Sequence, residues 1–394
     1  MGDLVFGRRF NVMTQDAHRF VPNLIMSSTA FIYTVSSQSL RDSSSYLRLR
    51  NHQVASLPFK AISRRLLASG VLSMPIVGGK MARDDRRFYQ YAESVLRERI
   101  AAEEREGETR KDIMHHLLHA QDPMTGKGFN REQLAVESSL LIAAGADTTS
   151  LTLAAVFFYL VHNPRVMGVL VEEIRVASFG ENMEHENVSR VIKLPYLRAV
   201  IDETLRLSPP VPSLLPREVL KDGITIDGRF IPEGTVVGVP AYAIHRNPEY
   251  FPQPNTFYPE RWIAVDASES ESSPLPGVGR TRESVSLARQ AFVAFSQGSR
   301  GCIGRQLAYY ELYTTLALLL HRFDIRLARE PISQAPISDT TDWKGNTMNA
   351  LDDKQANREK NARHGTGARE AEFQLFDRFL SDRNGPIVEF SRRQ

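Results

Sequence analysis

The chain has 394 residues, enough for one large domain or two closely packed ones. Lys and Arg number 49 against 46 Asp and Glu, and this net charge of +3 is too mild to argue for nucleic acid. The single cysteine, Cys302, excludes an intrachain disulfide framework, a four-cysteine zinc site and a cysteine-ligated iron–sulfur cluster within the chain.

The opening MGDLVFGRRF reaches charged residues at once, so it is no signal peptide, and it reads like the inside of a fold. From Asp84 to Arg110 the chain is charged and helix-forming, with a turn at Gly107. Helical periodicity returns over Lys111–Ala120, before the loop QDPMTGKG (121–128). Asn130 is expected to cap the next helix with Gln133, and Phe129 with Leu134 suits a hydrophobic staple. Asn163-Pro164 stops this helix after His162, giving about 32 residues and about 48 Å.

Its second half, SSLLIAAGADTTSLTLAAVFFYLV (138–161), is apolar on nearly every side. About 20 such residues suffice to cross a bilayer. Asp147, Thr148, Thr149 and Ser150 sit at its centre, however, where a charge is costly in lipid. The preferred reading is the central core helix of a large soluble domain.

Further on, a helix over Leu194–Leu207 ends at Pro209-Pro210. The stretch ITIDGRFIPEGTVVGVPAYAIHRNP (224–248) alternates around Asp227-Gly228 and reads as a hairpin plus a further strand. Residues 267–284 are expected as a Ser-rich surface excursion, and a helix should follow Gly304 to about His321. Residues 331–371 read as a mobile loop, and NGPIVEF (384–390) as a turn into a strand. The class is mainly α with small β-sheets (α+β), and no internal repeat is present.

Four local patterns carry chemistry. In AAGADTTS (143–150), Gly145 thins the helix and the Thr hydroxyls bond back to carbonyls, opening it beside a proton source in Asp147. Small and hydroxyl residues are common at helix contacts, so this pattern is weak alone. In ETLRLSPP (203–210), Glu203 and Arg206 share a helix face three residues apart. Ile201, Leu205 and Leu207 place that pair in partial burial, where a third member must complete it. Arg261 in FYPERW (257–262) is the candidate.

The fourth pattern is FSQGSRGCIGRQLA (295–308). Cys302 is an inert core residue, a lone ligand or a nucleophile. The flanking Gly301 and Gly304 permit positive φ and close approach of main-chain N–H groups to sulfur. Arg300, two residues away, suits an anionic group of a cofactor. A lone cysteine is more often a small core hydrophobe; the glycines and arginine argue against that here.

Taken together, the chain strongly resembles the haem-thiolate monooxygenases, the cytochrome P-450 superfamily. Phe295, Gly298, Arg300, Cys302 and Gly304 fill the cysteine loop Phe-x-x-Gly-x-Arg-x-Cys-x-Gly; Glu203 and Arg206 match Glu-x-x-Arg, and Arg261 the later arginine. Ala144, Gly145, Asp147, Thr148 and Thr149 match the oxygen-activating helix. Similarity runs from about residue 130 to 326, and wording such as GDLVFG, HRNPEYF and GRQLAYYE looks like fungal members that tailor secondary metabolites.

The resemblance implies one monooxygenase domain with haem b, whose iron takes Cys302 as axial ligand. It implies proton delivery by Asp147 and Thr148, propionate pairing by Arg217 and Arg300, and a structural role for Glu203, Arg206 and Arg261. Leu141, Ala144, Val211, Leu214 and Phe379 are expected to line the substrate pocket. Dioxygen, a small apolar natural-product substrate (terpenoid or polyketide) and electrons from NADPH through a reductase flavoprotein complete the expected reaction. Relatives carry an upstream membrane anchor and sit on the cytoplasmic side of the endoplasmic reticulum. This chain reads as N-terminally shortened, either cytosolic or peripheral.

Three other readings stay open. A haem-thiolate isomerase or dehydratase needs no reductase, and a shortened chain without catalysis binds haem or a partner only. A cysteine hydrolase would use His245 or His321 as base.

Overall fold

The computed structural model describes residues 2–7, 18, 20–22, 24–25, 79–106, 111–177, 189–265, 275, 278, 280–328, 371–375 and 385–393. Phe379 and, but for its final residue, the expected loop 331–371 lie outside them. Two compact units result: Met1–Thr148 with Leu214–Val239 and Arg378–Leu380, and Thr149–Ser213 with Pro240–Asp377 and Ser381–Gln394.

In the first unit, α1 (Gly2–Phe6), α2 (Gly79–Glu106), α3 (Ile113–His119) and the first half of α4 (Arg131–His162) share a core. On α2, Phe88, Ala92, Val95 and Leu96 fall on one helical face and are buried with Val5, Met114, Leu134 and Ile142. The capping box of α4 forms as its sequence requires. Gln133 N–H donates to Asn130 Oδ1 and Asn130 N–H to Gln133 Oε1, both at 2.9 Å.

Short antiparallel pairs complete this unit: β1 (Arg217–Glu218) with β4 (Val236–Val237), and β2 (Ile224–Ile226) with β3 (Arg229–Ile231). Asp227 (φ 48°) and Gly228 (φ 72°) both take positive φ, the requirement of a tight hairpin turn whose twist matches its strands.

The second unit continues α4 and adds α5 (Pro164–Val176), α6 (Pro195–Leu207), α7 (Ala241–Ile244), α8 (Arg282–Ala291) and α9 (Arg305–Arg322). Two 3₁₀ turns, Pro259–Trp262 and Gly298–Arg300, lie between the helices. The antiparallel pair β5 (Phe323–Leu327) and β6 (Val388–Arg392) joins segments some sixty residues apart, with Ile325 opposite Phe390. Val156, Phe158, Tyr159 and Leu160 of α4 are buried in one cluster with Leu170 and Ile174 of α5, Leu197, Ile201 and Leu205 of α6, and Leu312, Leu316 and Leu320 of α9. By length and composition α4 could cross a membrane; its C-terminal half is core of this unit.

Several expectations change. Asn163-Pro164 does end α4, but Pro164 also starts α5, because a proline needs no N–H in a first helical turn. The strand expected beyond the hairpin is only the two residues of β4, and the next segment, Ala241–Ile244, is helical. Pro240 caps that turn, and Pro212 O accepts Tyr242 N–H at 2.9 Å. The expected excursion 267–284 ends early: Thr281 caps α8, accepting from Ser284 N–H at 3.3 Å, so residues 282–284 are helical.

Leu170 is fully buried in the core shared by α4, α5, α6 and α9, whereas Val176 on α5 is 76% exposed. Leu170→Ala should therefore lower unfolding free energy by about 2–5 kcal/mol, with Val176→Ala within roughly 0.5, in urea titrations of each variant.

Candidate functional site

The thirteen residues from Phe292 to Gly304 connect α8 to α9, and their backbone makes most of its own bonds. Cys302 N–H donates to Phe295 O at 2.8 Å, Ser296 N–H to Val293 O at 2.9 Å and Gly301 N–H to Gly298 O at 3.0 Å. Positive φ is used at Ser296 (57°) and Gly298 (72°), not at the glycines beside the cysteine, where Gly301 has φ −59° and Gly304 −81°. What those two supply is small size: a Cβ on Gly301 would stand 3.2 Å from Gly298 O, and one on Gly304 3.9 Å from Cys302 Sγ. Cys302 is exposed beside a wholly exposed Ile303, and Gly304 caps α9, so the positive end of that helix lies next to the thiol.

Phe295 is half-buried against the Tyr309 ring, with centroids 5.1 Å apart. Arg300 is exposed in the 3₁₀ turn.

A densely bonded buried charge lies at Glu203 on α6. Glu203 is wholly buried and accepts five hydrogen bonds. Arg206 gives two, Nε to Oε2 at 2.9 Å and Nη2 to Oε1 at 2.8 Å. Arg261 Nε (3.0 Å) and Tyr258 N–H (2.9 Å) donate to Oε1, and Trp262 Nε1 (2.9 Å) to Oε2. Burial works against the Glu203 charge, yet Arg206 and Arg261 outweigh it and hold the carboxyl at about 2.

The guanidiniums spend their remaining donors on loop carbonyls. Arg206 Nη1 reaches His245 O (2.8 Å) and Pro254 O (2.7 Å), and Arg261 Nη1 reaches Pro252 O (2.9 Å). The partial burial expected of the Glu203–Arg206 pair is complete burial, and Arg261 is its third member.

His245 carries this bracing to the cysteine loop. Val293 N–H donates to its Nε2 at 2.9 Å, so the proton sits on Nδ1, which meets Arg206 O at 3.1 Å. Its ring stacks on Phe292 at 5.3 Å. Burial first, then the Arg206 charge, push its basicity down to about 3. His245 is thus a neutral strut with both nitrogens engaged, and it has no capacity to act as a base toward Cys302. His321 lies at the far end of α9, about 24 Å along the helix from its start. The hydrolase reading loses both of its bases.

A second brace runs from α6 to α9. Asp202 Oδ1 accepts Tyr309 O–H at 2.6 Å and Oδ2 accepts Arg198 Nε at 2.7 Å, with the Arg198 guanidinium 3.9 Å from the Tyr309 ring centroid. Adjacent acids on α6 therefore hold opposite sides: Glu203 the 245–262 segment, Asp202 the helix that follows the cysteine.

Sequence reasoning passed over Asp202 and took His245 only as a candidate base of a hydrolase, not as a strut.

On α4, Thr148 Oγ1 donates to Ala144 O at 2.8 Å, the back-bond expected of it, and Asp147 is half-buried. Thr149 Oγ1 donates to Glu311 Oε2 at 3.3 Å, and burial raises that carboxyl above its ordinary value.

The remaining predicted residues are dispersed. Arg217 is exposed in β1 and donates to Pro216 O at 2.9 Å. Leu141 packs against the core of the first unit, Ala144 is exposed, and Val211 is half-buried. Leu214, 40% exposed, lies against Gly238, where a Cβ would meet its Cδ1 at 3.0 Å.

The sequence profile of the cytochrome P-450 family matches residues 4–341. Cytochrome P-450 monooxygenase apf8 of Gibberella fujikuroi is 31% identical over 396 residues, covering 100% of this chain and 88% of that protein. A cytochrome P-450 monooxygenase of Gibberella zeae is also 31% identical, over 100% of this chain and 75% of its own. The crystal structure of the cytochrome P-450DA haem domain superposes with a TM-score of 0.58 at 21% identity. That match covers 84% of this chain and 60% of the haem domain, and at such identity it speaks to the fold alone.

Glu203→Gln should lower stability by roughly 3–5 kcal/mol in urea unfolding, because two buried guanidiniums lose their anion. The acid behaviour of His245 gives a second outcome. Unfolded imidazole takes up a proton near 6.5 and the folded ring only near 3, so the unfolded chain binds more protons between those values. Stability should fall with pH across that window, by about 1.4 kcal/mol per unit from this group. Unfolding titrations at several pH values should show a shallower decline in His245→Gln.

Proposed function

Because this chain belongs to the cytochrome P-450 family, we propose that it is a haem-thiolate monooxygenase in which Cys302 supplies the axial sulfur. The observation that carries this reading is the exposed Cys302 thiol, presented at the N-terminus of α9 on a loop whose glycines leave it uncovered. A lone thiolate suits a group that takes one sulfur from the protein.

Haem, when bound, supplies the activation of dioxygen. The part of the protein is electrostatic and positional. Cys302 sits beside the N-terminus of α9, the positive end of that helix. Its backbone is pinned through Phe295 O, and the loop is pinned in turn through Val293 and His245 to Arg206. This bracing would hold Cys302 in place as a ligand.

By their motif positions, Asp147 and Thr148 would supply protons; the Thr148 hydroxyl donates to Ala144 O. Arg217 and Arg300 offer forked donors to the two propionates. One oxygen atom of dioxygen enters an apolar C–H bond as hydroxyl. The other leaves as water, with two protons and two electrons consumed.

The electrons come from NADPH through a flavoprotein reductase, at the cytoplasmic face of the endoplasmic reticulum. The substrate is a small apolar natural-product intermediate. Similar proteins of fungal species are named cytochrome P-450 monooxygenases.

The test is optical. Haem-loaded protein, reduced under carbon monoxide, should show the shifted Soret band of thiolate ligation, and Cys302→Ala should lack it. A wild-type spectrum without that band, or a variant that keeps it, would overturn the assignment.

A further inference from the structure

Apart from the cysteine loop, the first unit gathers three metal-ligating side chains that the monooxygenase reading does not use. They are Glu103, near the end of α2, and His115 and His119 of α3. One donor atom of each lies within 4.8 Å of the other two. His115 Nδ1 is 3.3 Å and His119 Nδ1 3.7 Å from Glu103 Oε1. Ligands on a tetrahedral zinc ion, each about 2.0–2.1 Å from the metal, stand about 3.3 Å apart, so His115 Nδ1 and Glu103 Oε1 already have that spacing and the third donor lies within 4.8 Å.

Each member is oriented by a further contact. Arg99 Nη1 donates to Glu103 Oε2 at 2.7 Å, which leaves Oε1 turned toward the imidazoles. Arg99 also grips Asp112 through Nε (2.8 Å) and Nη2 (3.2 Å), while Asp112 Oδ1 accepts His115 N–H at 2.8 Å. His119 Nδ1 lies 2.9 Å from His115 O, the kind of backbone contact that fixes the tautomer of a metal-bound imidazole. The i,i+4 spacing sets the two rings on one face of α3, with centroids 4.5 Å apart.

Charge points the same way. Arg99 contributes +1 against the −1 of Asp112 and the −1 of Glu103, so the cluster carries one net negative charge beside its imidazoles. The His115 side chain is only 9% exposed and that of Glu103 13%, whereas His119 is 51% exposed and leaves one side open to water.

We propose that Glu103, His115 and His119 bind a borderline divalent transition ion, zinc by ligand chemistry, with water in the fourth position. Two nitrogens and one carboxylate oxygen are the donor set such ions prefer over the all-oxygen shell of calcium or magnesium. The ion clips the end of α2 to α3. The sequence HHLLH hides the site, because its carboxylate comes from twelve residues upstream of the first ligand.

The experiment uses the full haem-loaded chain, with zinc chloride titrated against a chromogenic chelator. Wild-type protein should hold one more zinc equivalent than His119→Gln, and zinc should raise its melting temperature. His119→Gln and Glu103→Gln should each weaken zinc by roughly ten- to a hundredfold, and His116→Gln, at an exposed neighbour, should not. Since His119 is half-exposed, its variant is expected to keep wild-type helicity and the thiolate Soret band. Equal zinc binding by wild type and His119→Gln, or an equal loss in His116→Gln, overturns the proposal.

Discussion

A carboxylate removed from water is the constraint on which the cysteine-bearing unit depends. Glu203 retains its charge at zero exposure because five donors replace the lost hydration. Its two guanidinium partners would themselves be stranded without it. They turn the surplus of donors outward, onto carbonyls of 245–256, a segment with little regular structure of its own. A loop that cannot pair its backbone with itself is thereby held as firmly as a helix. The price is sensitivity, since the network tolerates no missing member.

From that centre, order reaches the thiol in a few covalent and hydrogen-bonded steps. Arg206 O fixes one nitrogen of His245, the other receives Val293 N–H, and two residues later Phe295 both packs against Tyr309 and accepts Cys302 N–H. Asp202 secures the same Tyr309 from the opposite side of α6. The cysteine is therefore positioned by contacts on both sides of its loop, although nothing covers the sulfur itself. Rigid backing with an open face is what a ligand to a large planar group requires.

Much of this was legible in the chain. The capping box at Asn130, the stop at Pro164 and the Asp227-Gly228 turn are local matters of a few residues, and local chemistry decides them. The Glu203–Arg206 spacing reported a shared helix face directly. Less legible were α5, whose initiating proline also reads as a terminator, and α7, whose alternating AYAI resembles a strand until Pro240 and Pro212 close a helical turn. The role of the glycines beside Cys302 was misjudged as well. They serve by lacking a side chain, while positive φ is used farther back, at Ser296 and Gly298.

By itself the sequence determined the kind of chemistry: one thiol, its glycine-rich frame, and acid and arginine residues at recognisable intervals, all within short stretches of chain. Only the tertiary structure decided which groups meet. Arg261 reaches Glu203 across 58 residues, Val293 reaches His245 across 48, and β5 pairs with β6 across about sixty. Such partnerships are set by how helices pack and where buried charge must be neutralised, and no interval along the chain encodes them.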